Sequence, residues 1–238
     1  RMRFRKRQHA IIPKVSTNSR ELEAAERLTR AGALPDNLLL GLYTDRQPAA
    51  SGGVWDRVAA LQRFETALST ASAEAVAKTL PPAWEAMREA SLEVAFATLF
   101  AEPLSTIPLA GQAAILARDV ALLSPNYEAA AARVIGKTPE DELLRAVARG
   151  DAPVGPAPDA PLAAAVYDAF GNPAPRADLM ALARDKELGM AILRLLSLLH
   201  DGASGDTSAL RDALATLRAL GLEDTARRAA LQIVLLQQ

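Results

Sequence analysis

The sequence predicts an all-α protein, built as an irregular α-solenoid or an array of antiparallel helical hairpins. Three observations carry that prediction. About one residue in five of the 238 is alanine, leucine is abundant, and only 4% are aromatic. Alanine and leucine lead the helix-propensity ranking, whereas aromatic and β-branched residues favour sheets. Apolar residues recur at steps of three and four, the period of a helix with one buried face. Caps, glycines and prolines then cut the chain into about eleven or twelve segments, joined by turns short enough to make sequential neighbours antiparallel.

The first segment is not helical in pattern. Residues 1–14 carry Arg1, Arg3, Arg5, Lys6, Arg7 and Lys14 with no acid, a charge of +6. The remainder holds 21 basic and 28 acidic side chains, a balance of −7. Residues 1–15 are therefore a basic arm on a mildly acidic body. Such an arm suits nucleic acid, an anionic surface or an acidic partner, and equally a solvated tail. Met2 and Phe4 alternate with the arginines as in a short edge strand.

Ser16 to Ser19 precede Glu21 and an apolar series at Leu22, Ala25 and Leu28, a helix start. Gly32 ends it, and Pro35-Asp36 opens a short helix through Leu42. Residues 47–53 form a loop. Val54, Val58, Leu61, Phe64 and Leu68 lie on one helical face. A helix beginning at Ser72 is expected to be interrupted at Pro81-Pro82, since proline supplies no interior N–H. The next runs from Ala83 towards Phe100 with a bend near Ser91, followed by helices from Ala110 to Leu123 and from Ser124 to Val134. Thr138-Pro139-Glu140-Asp141-Glu142 combines a cap, a first-turn proline and three acids at the positive helix end, the best helix start in the chain.

Four prolines and a glycine in residues 151–161 predict an extended linker. It divides a helical-hairpin array over 16–150 from a C-terminal helical segment, 162–238, packed on the first. Helices are expected there at 161–170, 176–187, 188–200, 206–220 and 222–236. The segment 188–199 is apolar except for Arg194 and Ser197, so it is expected to be central and covered on most sides. On the last helix, Glu223 with Arg227 and Asp224 with Arg228 at i,i+4 define the wet face.

Small residues cluster at Ala129 to Ala132 and Ala163 to Ala165, which permits close helix packing. With segments such as Ser124-Pro-Asn-Tyr-Glu-Ala-Ala, the chain resembles TPR/SEL1-like arrays in general character, over about a quarter of its length. No register of 34 residues repeats, and the TPR aromatic and proline positions do not recur, so an irregular array is preferred to a true TPR domain.

Composition narrows the chemistry. No cysteine is present, which excludes disulfides, thiolate metal sites and a cysteine nucleophile. There is no phosphate-binding glycine motif. His9 and His200 are the only histidines; His200 fits a helix C-terminus, where a cation suits the dipole. No metal site, cofactor or serine triad is predicted. Glu85, Glu89 and Glu93 recur every four residues, with Arg88 among them; they read as a charged face, or as paired acid and base in a hydrolase or lyase. Gly52, Gly53, Trp55 and Arg57 are the candidate binding residues: paired glycines allow close approach, and Trp and Arg are enriched at binding hot spots. Trp55 equally fits packing on the preceding helix, and Trp84 reads as core.

The functional expectation is a non-enzymatic scaffold that binds protein partners through stacked hairpins. The alternatives are a carboxylate-dependent helical hydrolase or lyase, and an adaptor whose basic arm docks on nucleic acid or an anionic surface. No apolar run reaches the roughly 18 residues of a membrane span, and no secretory signal is visible. Absence of cysteine fits cytoplasm and periplasm alike.

Overall fold

The computed structural model describes residues 19–45 and 52–237, which form thirteen α-helices and no strand. The basic arm and the possible edge strand at Met2 and Phe4 lie outside the described residues. The helices are α1 (Ser19–Arg30), α2 (Asp36–Thr44), α3 (Val54–Ser69), α4 (Ala73–Arg88), α5 (Glu93–Leu104), α6 (Gly111–Leu123), α7 (Tyr127–Ala130), α8 (Pro139–Arg149), α9 (Pro161–Gly171), α10 (Ala177–Arg184), α11 (Leu188–Ala203), α12 (Thr207–Ala219) and α13 (Glu223–Leu236). A single 3₁₀ turn, Ala131–Arg133, follows α7.

Local signals set several boundaries. Thr138 and Asp141 form a reciprocal capping box at the start of α8, with Pro139 in its first turn. The Thr138 hydroxyl accepts from the Asp141 amide at 3.1 Å, and the Asp141 carboxylate accepts from the Thr138 amide at 3.3 Å. Arg118 of α6 reaches the same carboxylate at 2.8 Å and ties the two helices together. At several C-terminal ends a left-handed residue closes the helix. Gly221 has φ 80°, and the amide after it bonds back to Leu217. Ser91 (φ 53°) and Lys186 (φ 67°) make the same turn without glycine, at a steric cost of about 1–2 kcal/mol each.

The break near Ser91 is real, and the one expected at Pro81-Pro82 is not: α4 runs through both prolines. Both are exposed, while Val76, Leu80, Ala83 and Met87 fill the buried face at steps of four, three and four. The missing N–H groups therefore fall on the solvent side, and packing of the inner stripe holds the helix together.

Most consecutive helices pack as neighbours along the chain, α9 and α10 excepted, which is compatible with a hairpin array. Two hydrophobic cores result. The first draws on α1 to α6, with Phe64, Phe96, Phe100 and Trp84 in contact at ring centroid separations of 4.9–5.7 Å. The second draws on α6 to α13, where α12 lies between α9 and α11 and α13 reaches back to α6 and α8. Helix α6 is the shared wall: Val120 and Leu123 belong to the first core, Ala121 and Leu122 to the second.

The proline-rich segment thus lies within the span of the second core. It has no regular structure, but Pro153 and Pro158 are buried and the Tyr167 hydroxyl donates to the Gly155 carbonyl at 2.6 Å. It is strapped onto α9.

Helices α11 and α12 meet most closely at Gly202. A Cβ there would fall 2.7 Å from the Leu210 Cα. Gly202→Ala is expected to destabilise the fold by about 1–3 kcal/mol through overpacking, against the ~1 kcal/mol that alanine normally gains over glycine inside a helix. Gly41, inside α2, has nothing within 4 Å of such a Cβ. Gly41→Ala should raise the melting temperature while Gly202→Ala lowers it, each by about 2–4 °C per kcal/mol. Equal shifts of one sign in thermal melts would refute the close contact.

Candidate protein-interaction face

The glycine-rich loop before α3 brings its residues to two different places. Gly52 and Gly53 are exposed with positive φ, and Gly52 donates its amide to the Asp56 carboxylate at 3.0 Å. Trp55 is turned inward, 8% exposed, as part of the first core. Arg57 also faces inward. Its guanidinium makes two bonds to Glu26 of α1, at 2.8 and 2.7 Å, and the Tyr43 hydroxyl of α2 donates to the same carboxylate at 2.5 Å.

This Glu26–Arg57–Tyr43 cluster clasps three helices at one buried point. Glu26 is 4% exposed and Tyr43 fully buried. Burial, and then the adjacent Glu26 charge, push the Tyr43 phenol far above its ordinary value, so it remains a donor. Burial works against the Arg57 charge, and the Glu26 carboxylate more than offsets that. The Glu26 carboxylate, on both oxygens, is engaged within the fold. Of the four residues singled out in the sequence, the two glycines are exposed, Arg57 is partly buried and Trp55 is buried.

The carboxylate series is also divided. Glu85 is exposed and pairs with Arg88 at 3.1 Å, and Glu89 is exposed beyond the end of α4. Glu93 opens α5 across the left-handed turn, with burial raising its carboxyl. Among the described residues no group of three or more His, Asp or Glu side chains gathers in a metal-holding arrangement. His200 is exposed in the last turn of α11.

The conspicuous surface is α11 itself, and here the sequence expectation is corrected. The helix is not central. Only Ala191, Leu195 and Gly202 are fully buried, against α12 and α10. Leu188 and Met190 are each 46% exposed, Leu196 55% and Leu193 63%. At 100° per residue, Gly189, Leu193, Leu196 and His200 point outward together, with Ile192, Leu199 and Ala203 turned towards α13.

On that side lies an open groove of about 420 Å³ between α11 and α13, lined by Leu196, Leu199, Ala203, Ala229, Ile233 and Leu236 among others. Leu196 belongs to both ridge and groove, whose mainly aliphatic lining also includes His200, Gln232 and Gln237. Single exposed leucines are ordinary on a protein surface, but a contiguous patch marks an interaction site.

A second groove, about 640 Å³ and shallow, runs between α3 and α4 past Arg63, Thr66, Thr70 and Thr79. Its three threonine hydroxyls donate to carbonyls of their own helices.

Comparison with protein-family models, with curated proteins and with solved structures finds no match to this chain.

Proposed function

We propose that this chain is a non-enzymatic protein-interaction scaffold that docks partners on the outward face of α11. The supporting observation is the exposure of Leu193 and Leu196, 63% and 55%, beside a groove of matching character. Covering such side chains removes apolar area from water at about 25 cal/mol per Å², the main source of favourable free energy in protein association. Packing within the fold supports the face: Gly202 seats α11 closely on α12, and Leu195 is fully buried near its centre. The mainly aliphatic lining of the adjacent groove supports that reading.

A photo-crosslinking residue at position 193, introduced in cells, tests this reading. A control at Glu74, exposed on α4, samples a surface away from α11. A discrete protein adduct at 193 and none at 74 is the expected result. No adduct at 193, or the same smear at both positions, would overturn it.

A further inference from the structure

We infer that two clefts meeting at Arg133 bind a free aliphatic α-amino acid of about the size of leucine. The site is built by α5, α6, α7 and the 3₁₀ turn after it. It shares no residue with the α11 face, so the two readings stand or fall separately.

The first cleft, about 180 Å³, lies at the C-terminal ends of α5 and α6, bordered by α7 and the 3₁₀ turn. Glu102 of α5 and Arg133 of the 3₁₀ turn both line it, as do Ser105 and Asn126. Glu102 and Arg133 are exposed, and among the described residues neither forms an ion pair, with the other or with any neighbour. Arg118, Arg145 and Arg227, by contrast, are each paired with a carboxylate. The Asn126 carboxamide and the Ser105 hydroxyl are likewise without a hydrogen bond among the described residues.

Unlike charges that line one small cleft without pairing match a zwitterion. The Arg133 guanidinium can donate two parallel bonds to a carboxylate, and Glu102 can accept from an ammonium. The two helix ends add to the second contact, since a helix C-terminus favours a cation. Asn126 offers both a donor and an acceptor, and so can serve either end of the ligand.

The second cleft, about 200 Å³, shares Ser105 and Arg133 with the first. Leu104, Ile107, Leu109, Ala114 and Ala117 supply most of its lining, and no carboxylate does. Arg118 also borders it, but Asp119 and Asp141 hold that guanidinium at 2.7 and 2.8 Å, so its charge is already matched. An aliphatic side chain placed here leaves water for an apolar floor, while the charged end of the same molecule stays on Arg133 and Glu102. Each cleft is smaller than the ~300 Å³ at which pockets for drug-sized ligands begin, which sets the occupant at a few carbons.

An NMR titration of the full chain with L-leucine reads this directly. The expected result is saturable shifts centred on the amides of Ser105, Asn126 and Arg133, with a dissociation constant of about 0.1–1 mM for so small a ligand. L-Alanine, which leaves the aliphatic cleft empty, should bind about tenfold more weakly or worse. Each charge is then tested with a ligand that lacks its partner. Glu102→Gln should weaken leucine about tenfold and leave 4-methylpentanoate, the same skeleton without the ammonium, unchanged. Arg133→Gln should weaken leucine and 4-methylpentanoate alike, and leave isopentylamine, which lacks the carboxylate, unchanged. Both replaced side chains are exposed, so each variant should keep the wild-type circular dichroism.

A wild-type chain without saturable shifts at tens of millimolar leucine overturns the inference. So do shifts centred away from these clefts, or leucine binding that survives both substitutions. Equal affinity for leucine and alanine overturns it as well, because the second cleft would then hold no part of the ligand.

Discussion

Glu26→Ala is expected to lower the unfolding free energy by about 3–5 kcal/mol, the usual cost of removing one partner from a buried ion pair. The loss has three parts. The Arg57 guanidinium, with its side chain only 14% exposed, loses its counter-charge and both hydrogen bonds. The fully buried Tyr43 hydroxyl loses its acceptor. The clasp joining α1, α2 and α3 opens. Glu26→Gln keeps an acceptor but not the charge, and falls between. The informative variant is the triple replacement Glu26→Leu, Arg57→Met, Tyr43→Phe. It removes every polar group together, so nothing is left buried without a partner, and most of the stability should return. Urea unfolding of the three variants checks this. A triple variant as weak as Glu26→Ala would mean that the cluster contributes attraction beyond satisfying its own burial.

That cluster also shows where legibility in the sequence stops. The helix carrying Glu26 is readable from its cap and from Leu22, Ala25 and Leu28. Glu26 lies four residues after Leu22, hence on the inner stripe rather than opposite it. That placement was the available signal, but its partners stand 17 and 31 residues away on other helices. Local devices were legible for the same reason reversed: the Thr138–Asp141 box needs only four consecutive residues to form.

The break at Ser91 was legible only as a bend. The proline rule overstated the interruption of α4, because a missing N–H on the solvent side costs less than the inner stripe gains. For α11 the composition, apolar apart from Arg194 and Ser197 over 188–199, signalled that something covers it. Composition does not say whether the cover comes from this chain. Among the described residues nothing covers the outward side of α11, so the pattern that predicted a central helix belongs instead to a helix with one exposed apolar side.

The last helix carries the clearest case of tertiary context overriding an i,i+4 rule, and with it a second large effect. Asp224 pairs with Arg228 at 3.0 Å as the spacing predicts. Arg227 does not pair with Glu223, which turns instead to Arg218. The Arg227 side chain, 9% exposed, lies under α8. It donates to the Val147 carbonyl at 3.0 Å and to that of Ala148, bonds Glu128 at 2.7 Å, and stacks 4.9 Å from the centre of the Tyr127 ring. The two carbonyls belong to the last turn of α8, beyond the reach of its i→i+4 ladder; that of Val147 also accepts the Gly150 amide at 3.1 Å. One guanidinium thus caps α8 while docking α13 and α7 on it, a task suited to its planar fork of donors.

Arg227→Ala should therefore destabilise by about 3–4 kcal/mol, since two buried carbonyls each lose a charged donor. Arg227→Lys should recover less than half of that, because an ammonium cannot span both carbonyls and stack on the ring. Arg228→Ala, removing a half-exposed pair on the same helix, should cost no more than about 0.5 kcal/mol. Hydrogen exchange separates local from global loss: in Arg227→Ala the amides of Gly150 and Asp151, which bond back to Val147 and Ala146, should lose protection first. Full rescue by lysine would mean that charge near the α8 terminus is sufficient and the fork geometry is not what holds α13 in place.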